Sequence, residues 1–472
     1  MPCRTPNSNS DRYSDRFDTT LLPTSVIEVC QRLNQSGAQA YLVGGCVRDL
    51  MLGTNPKDFD IEVYNINMET LHKLLRSIGR VEHVGKQFGV FKLWYQHHEM
   101  DIALPRTERK IDEGHRGFDV SPDPYIKPEI ASLRRDFTIN AMMYDPLQHQ
   151  CYDFHNGAED LKQGMLRHVS AAFAEDPLRV LRGMQFAARF KLTMHPKTAE
   201  LCQTLLGEAK TLPASRIWIE WQKWCHSEHP SYGLKVLQQS GWLKLHPELE
   251  ALIGCPQDTK WHPEGDVWTH TLLVTDQAAR IATERGLDST TREYLMFASL
   301  CHDLGKPLTT CTDENNDVRS PNHSAAGFEP TRSFLNAIAA PKQVAQYVHT
   351  LVHDHIAHLC GEPTPRAIRR LADRLTPASI ELWEMLVEAD ASGRPPHPPA
   401  RPARAWLKKA IASQHHKERA TPIITGKMFI ELGISPGPEL GKRLKQAYQA
   451  QLDGEFNNLH SAKSWLSKCI NK

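Results

Sequence analysis

The stretch YLVGGCVRDLMLGTNPKDFDIEV, residues 41–63, opens as an apolar strand and breaks at Gly44-Gly45. It then carries Arg48-Asp49 into a short helical run. Turn residues from Gly53 to Pro56 lead into Lys57–Val63, where from Asp58 on polar and apolar residues alternate strictly. That period puts Asp58, Asp60 and Glu62 on one face and Phe59, Ile61 and Val63 on the other. An acid-bearing wet face is ordinary in a half-buried strand. Two aspartates at i and i+2, just after a paired-glycine turn, are less so. Like charges held side by side repel unless a cation lies between them.

Outward from this stretch, Ala40 to Leu104 alternates strand and helix, with a helix over 68–76 and strands in VFKLWY and EMDIAL. The pattern predicts a small α/β domain. Ahead of it, PTSVIEVCQRLNQ suits a capped amphipathic helix. The first twenty residues are polar and turn-rich and are expected to form a disordered tail. Residues 105–130 are charged, contain Gly and Pro, and read as a long functional loop. From Ala131 helical periodicity dominates, interrupted by the proline-rich PPHPPARPA at 395–403. The stretch from Thr421 reads as two short helices around a Pro-Gly-Pro turn.

Bulk properties exclude some classes. A net charge of +1 is too small for a protein that grips nucleic acid with its whole surface, so any such contact needs local patches. Arg366, Arg369, Arg370, Arg374, Arg401, Arg404, Lys408 and Lys409 supply candidates, or else solvated helix faces. The 11 cysteines form no Cys-x-x-Cys and follow no secretory signal, which points to reduced thiols and a cytoplasmic location. No apolar run reaches the length of a membrane span.

On EMDIAL, Glu99, Asp101 and Ala103 share a face. If this strand pairs near 58–63, Asp101 joins Asp58 and Asp60. Three carboxylates around one point suit two divalent cations in phosphoryl transfer. Gly44-Gly45 lets backbone N–H groups approach phosphate closely, and Arg48 adds a charged donor. Two further segments carry charged residues in helix-like settings. LRRDFTINAMMYD, residues 133–145, places Asn140 four residues after Asp136 in a helix-like run. AEDPLRVLRGMQFAARF, residues 174–190, places Asp176 as a helix N-cap and Pro177 as a first helical residue. Arg179 and Arg182 then share a helical face.

GGCVRD, KDFD, RRDFTINA and EDPLRVLR, in this order and spacing, resemble the bacterial (class II) tRNA nucleotidyltransferase and poly(A) polymerase family. The resemblance spans about residues 25–255. It implies an α/β nucleotidyltransferase head with a polymerase β-like palm, followed by mostly α-helical parts. It implies Mg²⁺ on Asp58 and Asp60, with Asp101 as third carboxylate, and triphosphate contacts from Gly44, Gly45 and Arg48. Arg135 and Asp136 would read the ribose and position the nucleotide, with Asn140 beside them. Asp176 and Arg179, with Arg182 a turn on, would meet the edge of the incoming base. IALPRTERKIDEGHRGF, residues 102–118, and especially its Arg106–Lys110 run, resembles the flexible-loop start of CCA-adding members. The expected activity is CCA addition to tRNA from CTP and ATP, with the acceptor arm and 3′ end as partner. Poly(A) synthesis or A-only addition is the alternative.

The second half contains His270, His302-Asp303, His323, His353-Asp354-His355 and Asp390, several within helical patterns. Imidazole and carboxylate together suit divalent metals, and a bound ion generates hydroxide against a phosphoester. The pattern His…His-Asp…Asp resembles the HD phosphohydrolases. The implied ligands are His270, His302, Asp303 and Asp390, holding Ni²⁺, Mn²⁺ or Mg²⁺. Asp354 competes with Asp390 for the last place, and His323, Asp354 and His355 stand as extra ligands or acid/base groups. Phosphatase and 2′,3′-cyclic phosphodiesterase activities for 3′-end repair are expected. A metal phosphohydrolase with a vestigial head is the reading from another class. The expected domains are a tail (1–24), head (25–168), neck (169–255), HD domain (256–394) and linker with helical tail (395–472).

Overall fold

The computed structural model describes residues 17–84, 89–110 and 118–470. The chain forms two compact units, residues 1–220 with Tyr232–Trp242, and Trp221–Ser231 with Leu243–Lys472.

The first unit is built on a seven-stranded sheet. Helix α1 (Thr24–Gln35) precedes β1 (Gln39–Val43), and α2 (Gly45–Met51) leads to β2 (Phe59–Tyr64). After α3 (Met68–Ile78) come β3 (Arg80–Val84), β4 (Val90–Tyr95) and β5 (His98–Ala103). The sheet order is β3-β4-β5-β2-β1, continued by two short strands, β8 and β9, described below. Most neighbours are antiparallel, but β2 and β5 run parallel, with Asp60 opposite Asp101. Gly44 makes the turn from β1 into α2 at φ 77°, a left-handed conformation that glycine takes without strain.

The sequence patterns hold for α3 and the central strands, and for α1 except its expected cap, since Pro23 stands at its start with no side-chain hydrogen bond to the helix; they fail at other identifiable places. Glu62 is not on a wet face: it is 2% exposed, because Arg134 and Arg135 fold over that end of β2. Residues 105–130 are not one long loop. Strands β6 (Arg106–Lys110) and β7 (Phe118–Pro122) pair as an antiparallel hairpin, and α4 (Pro128–Ser132) follows. Pairing satisfies backbone groups that a structureless loop would leave to water, and charged side chains do not forbid it. Residues 111–117 of the expected flexible loop lie outside the described residues.

The run after Asp136 is not helical either. Asp136 accepts hydrogen bonds from Phe137 N (2.8 Å) and Asn140 Nδ2 (3.2 Å), so its side chain supports a single 3₁₀ turn, Thr138–Asn140. The chain then enters β8 (Met143–Asp145) and β9 (Gln150–Tyr152), too short to show a period. Helix α5 (Gly157–Lys162), β10 (Met165–Leu166), α6 (Leu178–Phe190) and β11 (Thr193–Met194) complete this part. Asp176 caps α6 by accepting from Leu178 N at 3.0 Å. The expected tail, 1–24, is ordered from its later residues on: Phe17 stacks on Tyr144 with ring centroids 4.6 Å apart, and Thr19–Leu21 forms a 3₁₀ turn. Its first sixteen residues lie outside the described ones.

The second unit is helical apart from one two-stranded ribbon. Helices Val267–Glu284, Ser289–Cys301, Lys342–Asp354 and Ile380–Ser392 pack together with apolar residues inward. The two helices expected around the Pro-Gly-Pro turn in residues 421–455 form as Gly426–Ile430 and Pro438–Asp453, the second longer than expected, and a third helix, Leu459–Ile470, follows that stretch. Among the described residues no helix is long and apolar enough to cross a membrane.

Gly157 is the tightest backbone approach near the 3₁₀ turn: a Cβ there would lie 2.1 Å from the Thr138 carbonyl oxygen. Gly157→Ala is expected to cost about 2 kcal/mol, because backbone rather than a flexible side chain must give way. Urea unfolding of the variant measures this as a lower midpoint with an unchanged slope.

Candidate functional site

In the head, the turn at Gly44 and the ends of β2 and β5 bring acids and an arginine together. A Cβ on Gly44 would sit 3.3 Å from both Arg135 Nη1 and Asp60 Oδ2, so glycine admits both groups to the backbone. Asp60 is buried enough that its carboxyl is pushed up to about 6; Arg135 opposes the shift, while Asp101 and Asp58 add to it. Asp58 is exposed at the mouth of β2. Lys92 on β4 lies 3.3 Å from Asp101 and also pairs with Glu99. A carboxylate cluster flanked by two cations fits hard divalent ions, which prefer oxygen donors.

Behind this cluster lies a polar chain. Arg48 is 3% exposed and does not present a free fork. Its Nε and Nη2 donate to Asp49 Oδ1 at 3.0 and 2.7 Å, its Nη1 donates to Asn140 Oδ1, and its guanidinium lies 4.2 Å from the Phe190 ring centroid. Asn140 in turn donates to Asp136, and Asp136 pairs with Arg182 at 2.7 Å. Burial works to raise the Asp136 carboxyl, but Arg182, with Asn140 and the Phe137 amide, holds it below the usual range. Arg48, expected to contact triphosphate, is buried here with its donors on Asp49 and Asn140, as a buried guanidinium must satisfy them inside the protein.

Asp176 and Arg179 are not paired with each other. Asp176 Oδ2 accepts from Arg216 Nη2 at 2.8 Å, and Arg179 donates to the carbonyls of Ala172 (2.6 Å) and Arg134 (2.8 Å). Sequence reasoning missed two contributors. Glu62 accepts from Arg134 Nη2 (2.9 Å) and Tyr64 Oη (2.7 Å), and Arg216 holds Asp176. The alternation that marks β2 also hides Glu62, since it assigns a face and not a cover.

The second unit gathers the His–Asp residues. His270 Nε2 lies 3.1 Å from Asp390 Oδ1 and 3.4 Å from His302 Nε2. Asp390, not Asp354, stands here. Asp354 is occupied by Arg374 at 2.8 Å and His353 at 3.1 Å. The two oxygens of Asp303 face different histidines. Oδ2 is 3.1 Å from His302 Nε2 and 3.8 Å from His270 Nε2; Oδ1 is 3.4 Å from His323 Nε2 and 3.8 Å from His355 Nε2. His270, His302 and Asp390 form one three-donor group, and Asp303, His323 and His355 form another.

Tautomers follow from the outer partners. Nδ1 of His302, His323 and His355 meets the carbonyls of Ser299 (2.8 Å), Ser320 (2.8 Å) and Val352 (2.6 Å), which only accept. Nδ1 therefore carries the proton and Nε2 keeps its lone pair toward the cluster. His270 Nδ1 lies 2.7 Å from Glu264, which also meets His262 at 2.9 Å. Burial, with His302 and His323 nearby, pushes His355 down to about 3, so the ring stays neutral as a ligand requires. Burial would raise the Asp303 carboxyl, but His302 and Lys306 hold it well below the usual range. Lys306 Nζ is 2.7 Å from Asp303, and Arg394 pairs with Asp390. Buried histidines with fixed tautomers among carboxylates fit a borderline divalent ion. His262 and Glu264 sit in a loop with no periodicity and left no mark in the sequence.

The expected basic stripe is largely engaged. Arg366 and Arg370 pair with Asp453, Arg369 donates to Leu452 O, Arg374 holds Asp354, and Arg401 holds Glu384. These contacts tie helix to helix within the second unit.

Comparison with known proteins gives three family matches in chain order: the Poly A polymerase head domain over residues 40–167, the "Probable RNA and SrmB- binding site of polymerase A" over 191–253, and the HD domain over 267–378. The chain is 39% identical over 366 residues to a multifunctional CCA protein of Pasteurella multocida, covering 75% of this chain and 84% of that one. It is 34% identical over 444 residues to one of Acinetobacter baumannii, covering 90% and 99%. Among solved structures it resembles the Bacillus stearothermophilus CCA-adding enzyme in complex with CTP, with a TM-score of 0.62 at 20% identity over 95% of this chain and 97% of that one. A Thermotoga maritima CCA-adding enzyme complexed with tRNA has a TM-score of 0.58 at 19% identity, over 96% and 99%. At such identities the likeness is one of fold.

Glu62→Gln leaves two guanidinium groups against a neutral amide in a buried place. The expected loss is about 3 kcal/mol, the lower end for a broken buried pair because Arg134 keeps some solvent. Chemical denaturation of the purified variant measures it, and an unchanged midpoint would remove Glu62 from this anchoring role.

Proposed function

The chain belongs to the family of multifunctional CCA proteins, and from that premise we propose that its head adds CCA to the tRNA 3′ end using CTP and ATP without a nucleic-acid template. The observation that carries this reading is the parallel register that sets Asp101 beside Asp60, under the Gly44 turn and against Arg135. Asp58, Asp60 and Asp101 would hold Mg²⁺. Bound there, it supplies a lowered pKa for the attacking 3′-hydroxyl and neutralising charge for the pyrophosphate leaving group. The remaining tasks belong to the chain. Amides at Gly44 and Gly45 and the Arg135 guanidinium receive phosphate oxygens. The chain Arg48–Asn140–Asp136–Arg182 fixes the wall behind the sugar and base.

Base choice falls to Asp176 and Arg179. A carboxylate accepts from the exocyclic amine of C or A, and a guanidinium donates to the neighbouring acceptors. To do so they exchange Arg216 and the two carbonyls for the base. Uracil and guanine present the opposite polarity at that edge. A site built to hydrogen-bond its substrate rejects mismatched analogues by about 10⁴–10⁵.

The HD domain hydrolyses phosphoesters, with 2′,3′-cyclic phosphates at damaged 3′ ends as its class of substrate. His270, His302, Asp303 and Asp390 would hold a divalent ion such as Ni²⁺, Mn²⁺ or Mg²⁺, with Asp303, His323 and His355 as a second donor set. Bound metal there supplies hydroxide at neutral pH. The domains are read as head 25–168, neck 169–255, HD domain 256–394 and tail 395–472, in the cytoplasm; the family matches support this order.

A transcript lacking its three 3′ nucleotides tests the head. Two additions with CTP, and a third once ATP is present, are expected on a sequencing gel. A long ladder with ATP alone would make it a poly(A) polymerase, and a single A added only to a CC end would make it an A-adding enzyme. Asp58→Ala or Asp60→Ala should abolish incorporation and leave phosphohydrolysis intact; persistent incorporation in either would move the catalytic site elsewhere. Asp176→Ala and Arg179→Ala should raise misincorporation of UMP and GMP, measured by single-nucleotide extension.

A further inference from the structure

Of the ten tryptophans, all within the described residues, Trp261 alone is exposed, at 61%. It lines a cavity of about 780 Å³ whose wall also includes Asp303, His323, His355 and Asp390. Leu359, 72% exposed, lines the same cavity. Four large apolar side chains among the described residues are more than six-tenths exposed, and two of them meet at this one cavity. The rest of its wall is mixed, with Val318, Val387, Ala391 and Pro402 beside charged and polar side chains, so the cavity offers both apolar and ionic contacts.

The backbone at Trp261 is held in a turn. Asp258 accepts from Lys260 N through its side chain at 2.8 Å, and through its carbonyl from Trp261 N (3.1 Å) and His262 N (2.8 Å). His262 and His270 share Glu264, which couples this turn to a residue of the His–Asp cluster. Lys260 Nζ lies 5.4 Å from the Trp261 ring centroid. An indole face at the mouth of a cavity with phosphoester-cleaving donors on its wall has one natural ligand class. A nucleotide carries a flat π-face and a phosphate on one rigid frame, and the volume falls within the usual range for small-molecule sites.

We propose that Trp261 is a stacking platform for the base of a nucleotide whose phosphate lies at the His–Asp cluster. The HD site thereby selects nucleotide phosphoesters over phosphoesters at large. Trp261 is a specificity-determining residue and takes no part in bond cleavage. The inference rests on the phosphohydrolase reading above.

The test uses the full chain carrying D58A and D60A, to silence the head, and loaded with Mn²⁺. Hydrolysis of 2′,3′-cyclic AMP is compared with that of the base-free ribose 2,3-cyclic phosphate. Trp261→Ala should raise KM for 2′,3′-cyclic AMP about 5- to 100-fold with kcat little changed, the range expected for one stacked base. Trp261→Phe should restore most of the loss, and the base-free substrate should be indifferent to both. Equal losses on both substrates would make Trp261 a structural support, and no loss on either would remove the platform. A second readout stands apart from hydrolysis: the emission difference between the parent and W261F proteins should be quenched saturably by AMP. If the parent hydrolyses neither substrate, the phosphohydrolase reading fails, and the quench alone decides the platform; its absence overturns it.

Discussion

The head is organised around electrostatic repulsion. Parallel pairing of β2 with β5 sets Asp60 and Asp101 on adjacent strands, with Asp58 two residues away. Carboxylates about 5 Å apart repel by about 3 kcal/mol at the effective dielectric of a protein site. The upward shift of Asp60 registers this, together with burial. Such an arrangement persists only if something over-determines it. Here the sheet register fixes the strands and Arg135 stands against the carboxylate. A divalent ion placed between these carboxylates would turn the same repulsion into attraction.

The second unit solves a similar problem with different donors. Its acids are buried and already compensated by Lys306 and Arg394, and His302, His323 and His355 turn their Nε2 atoms inward. Carbonyl acceptors on the outer side fix the tautomers before any ligand arrives, so the donor set is preorganised. The head site uses hard oxygen donors alone, whereas this one mixes nitrogen and oxygen. The two donor sets therefore differ in softness, oxygen alone suiting hard ions and mixed nitrogen and oxygen suiting borderline ones.

Arginine serves mainly as structural cement. Arg48, Arg134, Arg182, Arg216, Arg370 and Arg401 all meet carboxylates of the protein itself. Motif arginines therefore act in two ways. Arg135 lies between Gly44 and Glu62, whereas Arg48 holds Asn140. The distinction is invisible in a motif, which records residue type and spacing and not the partners a guanidinium finds.

The sequence by itself determined the local elements with a clear period, the glycine turn before α2, the cap on α6, and the identity of the acids and histidines. These follow from short-range geometry: a two- or three-and-a-half-residue repeat, a positive φ, a side chain reaching its own helix. Tertiary structure decided the rest. It buried Glu62, turned the 105–130 segment into a hairpin, made the run after Asp136 a single 3₁₀ turn, and chose Asp390 over Asp354. It also brought Trp261, His262 and Glu264 to the His–Asp cluster from a loop without pattern. Each outcome depends on partners distant along the chain, as with Arg134 over Glu62 or Arg374 on Asp354. No local periodicity encodes which of two equivalent carboxylates an arginine will reach first.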